Sequence, residues 1–185
     1  MTENNSINFQ REPLLTETEI KVRMAEMVLE IARDLQHEEL TVIGILRGSF
    51  MFMADLVRLL YVNDIHPLID FVFVTSYEGT ESTGHLNLLR DMSLDVKDRK
   101  VLIVDDILDT GRTLKFTKEY IIEREAMEVS TCVLLDKPSR RTVPINADYV
   151  GFSINDVFVV GYGLDYNGRY RDLPYLGVID CVEVE

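Results

Sequence analysis

The chain is short of cysteine, of basic charge and of long apolar runs, and each shortage closes off a class of protein. Only Cys132 and Cys181 occur in 185 residues, too few for a disulfide framework and without metal-ligand spacing. Cys132 lies in an apolar strand-like run, and both are expected as reduced, buried thiols. Lysine and arginine number 19 against 32 acidic residues, a net charge of −13. Attraction to nucleic acid or to an anionic membrane is therefore not expected overall, although a local basic pocket remains compatible. No run approaches the ~20 apolar residues of a membrane span. Met1 to Gln10 has neither the basic start nor the apolar stretch of a signal peptide, so a cytoplasmic protein is expected. No Pro/Ser/Gly-rich linker or repeat divides the chain, and 46% hydrophobic content suits one globular domain over residues 1–185. The Gly-x-x-x-x-Gly-Lys-Ser/Thr phosphate loop of a generic kinase is also missing.

What is present alternates between strand-like and helical patterns. Residues 1–13 read as a flexible tail. Thr16 and Glu19 can form a capping box, after which Ile20, Met24, Met27, Val28 and Ile31 line one face of a helix ending near Gln36. Leu40 to Leu46 reads as a buried strand, Phe50 to Tyr61 as a helix and Leu68 to Val74 as the next strand. Residues 76–98 are polar, contain Gly79 and Gly84, and make a loop too long for a mere connector. Val101 to Val104 is a strand buried on both faces, helical spacing resumes at Thr113, and Val129 to Leu135 is a further strand. A Pro-bounded turn and short β-like segments follow. The expected fold class is α/β, a mostly parallel twisted sheet flanked by helices on both faces, with a small hood from the N- and C-terminal segments.

The most informative stretch is Val101 to Thr113, an apolar run that stops at Asp105-Asp106 and turns through Ile107-Leu108-Asp109-Thr110-Gly111-Arg112-Thr113. Such a turn lies at the carboxyl end of a strand, where open α/β sheets place ligands. Unpaired N–H groups at the following helix start, with two Thr hydroxyls, make Thr110, Gly111, Arg112 and Thr113 a cradle for a phosphate monoester. Asp105, Asp106 and Asp109 would repel that phosphate but suit sugar hydroxyls and the water shell of Mg²⁺. A sugar phosphate laid along the loop satisfies both halves. Taken alone, an acidic turn that merely caps a helix, with Asp109 or Thr110 as N-cap, explains the same residues.

The thirteen-residue string resembles the signature of the type I phosphoribosyltransferases, which bind 5-phosphoribosyl 1-diphosphate through two acidic residues and a phosphate loop. Leu46-Arg47-Gly48-Ser49, Thr75-Ser76-Tyr77, Leu135-Asp136-Lys137-Pro138, Phe158 to Tyr166 and Tyr170-Arg171-Asp172-Leu173 narrow the likeness to the hypoxanthine-guanine phosphoribosyltransferases, from about residue 15 to about residue 180. The resemblance implies Mg²⁺-dependent transfer of the phosphoribosyl group to N9 of hypoxanthine or guanine.

It also implies residue roles. Arg47 and Gly48 would meet the diphosphate, with the Arg47–Gly48 peptide cis; many family members carry Lys at the position of Arg47. Ser76 and Tyr77 would cover the diphosphate from the mobile loop 76–98, and Arg171 would contact it. Lys137 would donate to the purine 6-oxygen, Phe158 would stack on the ring and the Val159 backbone would read its edge. Asp165, placed beside the purine, would act with Asp105 and Asp106 through Mg²⁺ and its waters, and Asp109 would manage the proton on the imidazole ring. Small-molecule partners and a homodimer or homotetramer are expected, the run Phe50 to Met53 serving as an interface face or as core. The alternatives are a phosphoribosyltransferase-like nucleic-acid-binding regulator, which does not explain the pattern at Lys137 and Phe158, a uracil or adenine phosphoribosyltransferase, against which the 6-oxopurine segments argue, and a phosphoribosyltransferase with xanthine preference.

Overall fold

Seven residues, Leu40–Leu46, form the first long strand, six of them buried. Val42 and Ile43 point to opposite faces and both are fully buried, as an alternating strand covered on two sides requires. The protein is described by a computed structural model for residues 8–9, 12–35, 39–76 and 86–180. The elements are β1 (Asn8–Phe9), α1 (Glu17–Leu35), β2 (Leu40–Leu46), α2 (Phe50–Val62), β3 (Leu68–Ser76), β4 (Leu86–Arg90), β5 (Lys100–Leu108), α3 (Arg112–Ile122), β6 (Glu128–Asp136), a 3₁₀ turn (Pro138–Arg140), β7 (Tyr149–Ser153), β8 (Val159–Val160) and β9 (Gly177–Asp180).

Six strands make the main sheet in the order β4-β3-β2-β5-β6-β7. Every neighbouring pair is parallel except β3 with β4. Helices α1 and α2 cover one face, where Ile20, Met24, Met27, Phe52, Leu56 and Leu60 pack on Val42, Leu102, Val104 and Leu134. Helix α3 covers the other, bringing Leu114 and Ile121 onto Ile43, Val72, Ile103 and Val133. The start of α1 is a reciprocal capping box: the Thr16 N–H donates to Glu19 at 2.8 Å and the Glu19 N–H to the Thr16 hydroxyl at 3.3 Å. Two orphan helix donors are satisfied by one pair of side chains. Phe52 and Met53 are core residues at 0% and 2% exposure, which settles the inner half of the run Phe50 to Met53.

Several expectations are corrected. Residues 1–13 are not wholly a tail, because Asn8 and Phe9 pair antiparallel with Asp180 and Ile179. The resulting three-stranded sheet β1-β9-β8 is the anticipated hood. Residues 76–98 are not one loop: β4 extends the sheet beyond β3, and Leu86 and Leu88 pack on the core beside Met92. Their alternation was hidden within a polar stretch. The signature strand does not end at the acidic pair but continues through Asp105 and Asp106 to Leu108, because Asp105, Ile107 and Leu108 stay in register with β6. The N-cap of α3 is Gly111, at φ 85°, in place of Asp109 or Thr110. The peptide that is cis is Leu46–Arg47, one position before the one expected. Cys132 is buried and free; Cys181, Tyr77 and the rest of 77–85 lie outside the described residues.

Strand β7 closes the sheet beside α1, and its outward carbonyls are taken by one side chain. Arg23 donates to the Gly151 oxygen at 3.0 Å and the Val150 oxygen at 2.9 Å while pairing with Glu30 at 2.8 Å. An open strand edge is thereby covered. Between β6 and β7 there is no spare room: a Cβ on Gly151 would lie 2.4 Å from the backbone oxygen of Leu134. Gly151→Ala is expected to cost about 1–3 kcal/mol through overpacking. Urea unfolding checks this, and a midpoint equal to that of the unaltered protein would contradict the tight contact.

Candidate active site

Parallel strands β2, β5 and β6 end on the same side, and their extensions converge. At the end of β2 the buried Ser49 hydroxyl donates to the Ile45 oxygen at 2.6 Å, tying the Arg47-Gly48 turn back onto its strand. Gly48 meets two other segments. An added Cβ there would sit 1.6 Å from a carboxylate oxygen of Asp106, and one on Gly163 would sit 2.0 Å from the Gly48 oxygen. Only glycine lets these backbones approach so closely, and at Gly163, with φ 105°, it also supplies the left-handed conformation.

The acidic pair is the electrostatic centre. Asp105 is 6% exposed, and burial together with the neighbouring Asp106 charge holds its carboxyl well above the ordinary aspartate range. Burial also raises Asp106, opposed by hydrogen bonding from Asp105, by backbone N–H donors and by the charge of Arg171. The Asp106 N–H donates to Asp105 at 3.0 Å and the Ile107 N–H to Asp106 at 3.0 Å. Neither carboxylate pairs with a cation among the described residues. Two desolvated carboxylates without a counterion call for a cation from outside. Among the described residues no three acidic, His or Cys side chains close a metal cage, so Mg²⁺ would need further oxygens from substrate or water, its common mode of binding. The donor set fits that ion.

Two cavities open from this centre. One, of about 240 Å³, runs from Arg47 and Gly48 past Asp105, Asp106 and Asp109 to Thr110, Gly111 and Thr113 at the start of α3. Arg112 is exposed, does not line this cavity and donates its N–H to the Thr110 hydroxyl at 3.4 Å, while Arg47 stacks over the Phe73 ring at 5.2 Å. The other, of about 510 Å³, is lined by Lys137, Phe158, Val159, Asp165 and Arg171. Both cavities share Gly48, Asp106, Ile107 and Asp109. A molecule spanning them would have its junction beside the acidic residues.

The larger cavity sets an exposed aromatic ring beside buried and paired polar groups. Lys137 is 7% exposed, and its ammonium donates to the Val157 oxygen at 2.7 Å. Phe158 is 44% exposed and lines the cavity, its ring making a T-shaped contact with Tyr166 at 5.6 Å. Asp165 and Arg171 reach the cavity already joined at 2.6 Å. Asp165 also accepts from the Gly168 N–H at 2.7 Å, and Arg171 donates to the Gly163 oxygen at 2.6 Å. Ser76 closes β3. Five lining residues were not anticipated as site residues: Arg140, Asp156, Val157, Leu164 and Ile107. The signal for the first was the charged turn immediately after Lys137-Pro138. Arg141 was also missed; it donates to the Leu108 and Asp109 carbonyls and to the Asp136 carboxylate, binding the ends of β5 and β6 together.

Similarity to known proteins follows the same outline. The model of the phosphoribosyl transferase domain matches residues 11–167. A hypoxanthine-guanine phosphoribosyltransferase of Staphylococcus aureus is 45% identical over 173 residues, 93% of this chain and 95% of the relative. That of Staphylococcus epidermidis is 47% identical over 167 residues, 90% and 92% of the two chains. A solved hypoxanthine phosphoribosyltransferase from Staphylococcus aureus superposes with a TM-score of 0.86 at 45% identity, covering 92% of this chain and 91% of that one. The Trypanosoma cruzi hypoxanthine phosphoribosyl transferase gives 0.88 at 38% identity, covering 94% and 93%. With likeness of sequence and of structure along nine-tenths of its length, the chain belongs to the phosphoribosyltransferase family, in its hypoxanthine-guanine branch.

Proposed function

We propose that the protein transfers the 5-phosphoribosyl group of 5-phosphoribosyl 1-diphosphate to N9 of hypoxanthine or guanine, giving the nucleoside monophosphate and diphosphate in purine salvage. The observation that carries this reading is the pair of adjoining cavities meeting at Gly48, Asp106 and Asp109. Phosphate sits at the α3 N-terminus, ribose lies over the acidic pair and the purine fills the larger cavity. Lys137 donates to the 6-oxygen, Phe158 stacks on the ring and the Val159 backbone reads its edge. An adenine amine would leave that buried lysine facing another donor, which such sites reject strongly.

Breaking the C1–O bond leaves an oxocarbenium-like sugar and places negative charge on the departing diphosphate. Arg47, Arg171 and the backbone near Gly48 face that charge, with Ser76 and Tyr77 assigned to it by resemblance. Asp105, Asp106 and Asp165 would hold Mg²⁺ together with substrate oxygens. Bound there, it would neutralise part of the diphosphate charge. Asp109 accepts the proton from the purine imidazole ring or steadies it by hydrogen bonding. A cytoplasmic homodimer or homotetramer is part of the proposal; no described helix is long and apolar enough to cross a membrane, and Tyr61, Val62, Leu68 and Ile69 leave an exposed apolar edge.

Chromatography of nucleotides formed with Mg²⁺, the diphosphate sugar and hypoxanthine, guanine, xanthine, adenine or uracil tests the reaction. Conversion of hypoxanthine or guanine but not adenine is expected; no conversion of any base by folded protein would overturn it. Asp109→Ala is expected to lower turnover by about 10²–10⁴-fold, the ordinary worth of acid–base assistance, in a protein of unchanged circular dichroism. Near-normal turnover would remove Asp109 from that role.

The acidic pair also sets a pH dependence. Its folded carboxyls lie above the ordinary range, so the folded state holds protons that the unfolded chain has released. The stability this gives is complete below about pH 4, where unfolded aspartates are protonated, and is lost as pH rises through the folded values. In metal-free protein, Asp105→Asn is therefore expected to melt higher than the unaltered chain at neutral pH, with the difference shrinking on acidification. A difference in melting temperature that stays constant from acid to neutral pH would refute the assignment.

A further inference from the structure

Arg140 lies on the cavity rim and belongs to none of the roles assigned above. It closes the short 3₁₀ turn Pro138–Arg140 that begins one residue after Lys137. Its Nε donates to Asp109 Oδ1 at 3.2 Å, and its Nη1 lies 3.6 Å from Asp156 Oδ2. The other oxygen of Asp156 is 3.8 Å from Lys137 Nζ. Asp109, Arg140, Asp156 and Lys137 thus alternate in sign across the mouth of one cavity, and all four line it. Its other charged lining groups are Asp106, Asp165 and Arg171.

The turn that carries Arg140 is itself fastened. The Arg140 N–H donates to the Lys137 oxygen at 3.1 Å, and the next residue, Arg141, grips the ends of β5 and β6. Thr142 adds a backbone bond to the Thr110 oxygen at 3.0 Å. Arg140 therefore starts from a fixed point, whereas Asp109 stands on a turn just past β5, its side chain 36% exposed. A carboxylate that handles a ring proton must lie within hydrogen-bond reach of it, and a misplacement of 1 Å costs up to about 10²-fold. Among the described residues Arg140 occupies only Oδ1 of Asp109, and Oδ2 is left for the base.

Resting on the proposed reaction, we infer that Arg140 is a positioning residue that registers the purine from both ends, holding Asp109 at the five-membered ring and, through Asp156, Lys137 at the six-membered ring. The planar guanidinium can serve two carboxylates at once, which a lysine ammonium in its place cannot do with the same geometry. The pairs are half-exposed, at 49% for Arg140 and 52% for Asp156, so they add little to folding. Their effect falls on the alignment of the base.

The test is single-turnover nucleotide formation by the full-length protein with saturating diphosphate sugar, Mg²⁺ and hypoxanthine, which isolates chemistry from product release. Arg140→Met is expected to slow the step by about tenfold, within the range that misalignment produces, with the KM for the diphosphate sugar unchanged. The decisive comparison is Arg140→Met in an Asp109→Ala background. Because one of its two arms runs through Asp109, the loss is expected to be smaller there than in the unaltered background, the arm through Asp156 alone remaining. Arg140→Lys, which pairs one carboxylate at a time, is expected to fall between the unaltered protein and Arg140→Met, and serves if the methionine variant folds poorly. A wild-type rate in Arg140→Met or in Arg140→Lys, or the same loss with and without Asp109, would overturn the positioning role. Failure of the unaltered protein to convert any base would instead overturn the proposed reaction, and this inference with it.

Discussion

The desolvation of Asp105 and Asp106 governs how this molecule is built. Two adjacent carboxylates at a strand end, both pushed toward the protonated form, oppose folding at neutral pH. They are tolerated because β5 is central: β2 and β6 pair with it on either side, and Ile103, Val104 and Leu108 are buried in the layers above and below. The sheet supplies the packing energy that holds an unfavourable charge pair in place. A cation bound there would relieve the repulsion as well as join the proposed chemistry, linking ligand binding and stability through one site.

Around that centre the chain makes room with glycine and restores charge balance with arginine and lysine. Gly48 lets Asp106 lie against the β2 turn, and Gly163 lets the β8–β9 connection close onto Gly48. Arg47, Lys137, Arg140 and Arg171 stand on three separate segments and line one or other of the two cavities. The net charge of −13 would repel a polyanionic substrate at long range. At physiological ionic strength that repulsion decays over about 8 Å, and inside the cavities the substrate meets these local cations.

Much of this was legible because the informative residues are sequential. Val101 to Thr113 carries strand, acidic pair and phosphate turn in thirteen positions, α1 has a helical periodicity, and β2 has the length and β-branched content of a buried strand. Legibility failed where partners are distant in sequence. The pairing of Asn8 and Phe9 with the last strand depends on a chain reversal that no local pattern records. Strand β4 was concealed because an edge strand needs only one apolar face, and Leu86 and Leu88 supply it amid polar neighbours. Arg140 and Asp156 were missed for the same reason: in isolation each is a charged turn residue, and only the fold brings them to Asp109 and Lys137.

Lys137, Asp109, Asp165 and Arg171 all have protein partners within hydrogen-bond reach. Lys137 is buried and gives one of its three ammonium hydrogens to the Val157 carbonyl, so a 6-oxygen can take another without displacing that carbonyl. Arg171, already joined to Asp165 and to the Gly163 carbonyl, must share or exchange those partners to meet an incoming diphosphate. Such exchange lowers net affinity, yet the site stays hydrogen-bonded and ordered when empty, so little conformational entropy remains to be lost when substrate arrives. The proposed discrimination against adenine comes from Lys137, because an amine set against the ammonium offers it no acceptor and leaves a buried donor unpaired.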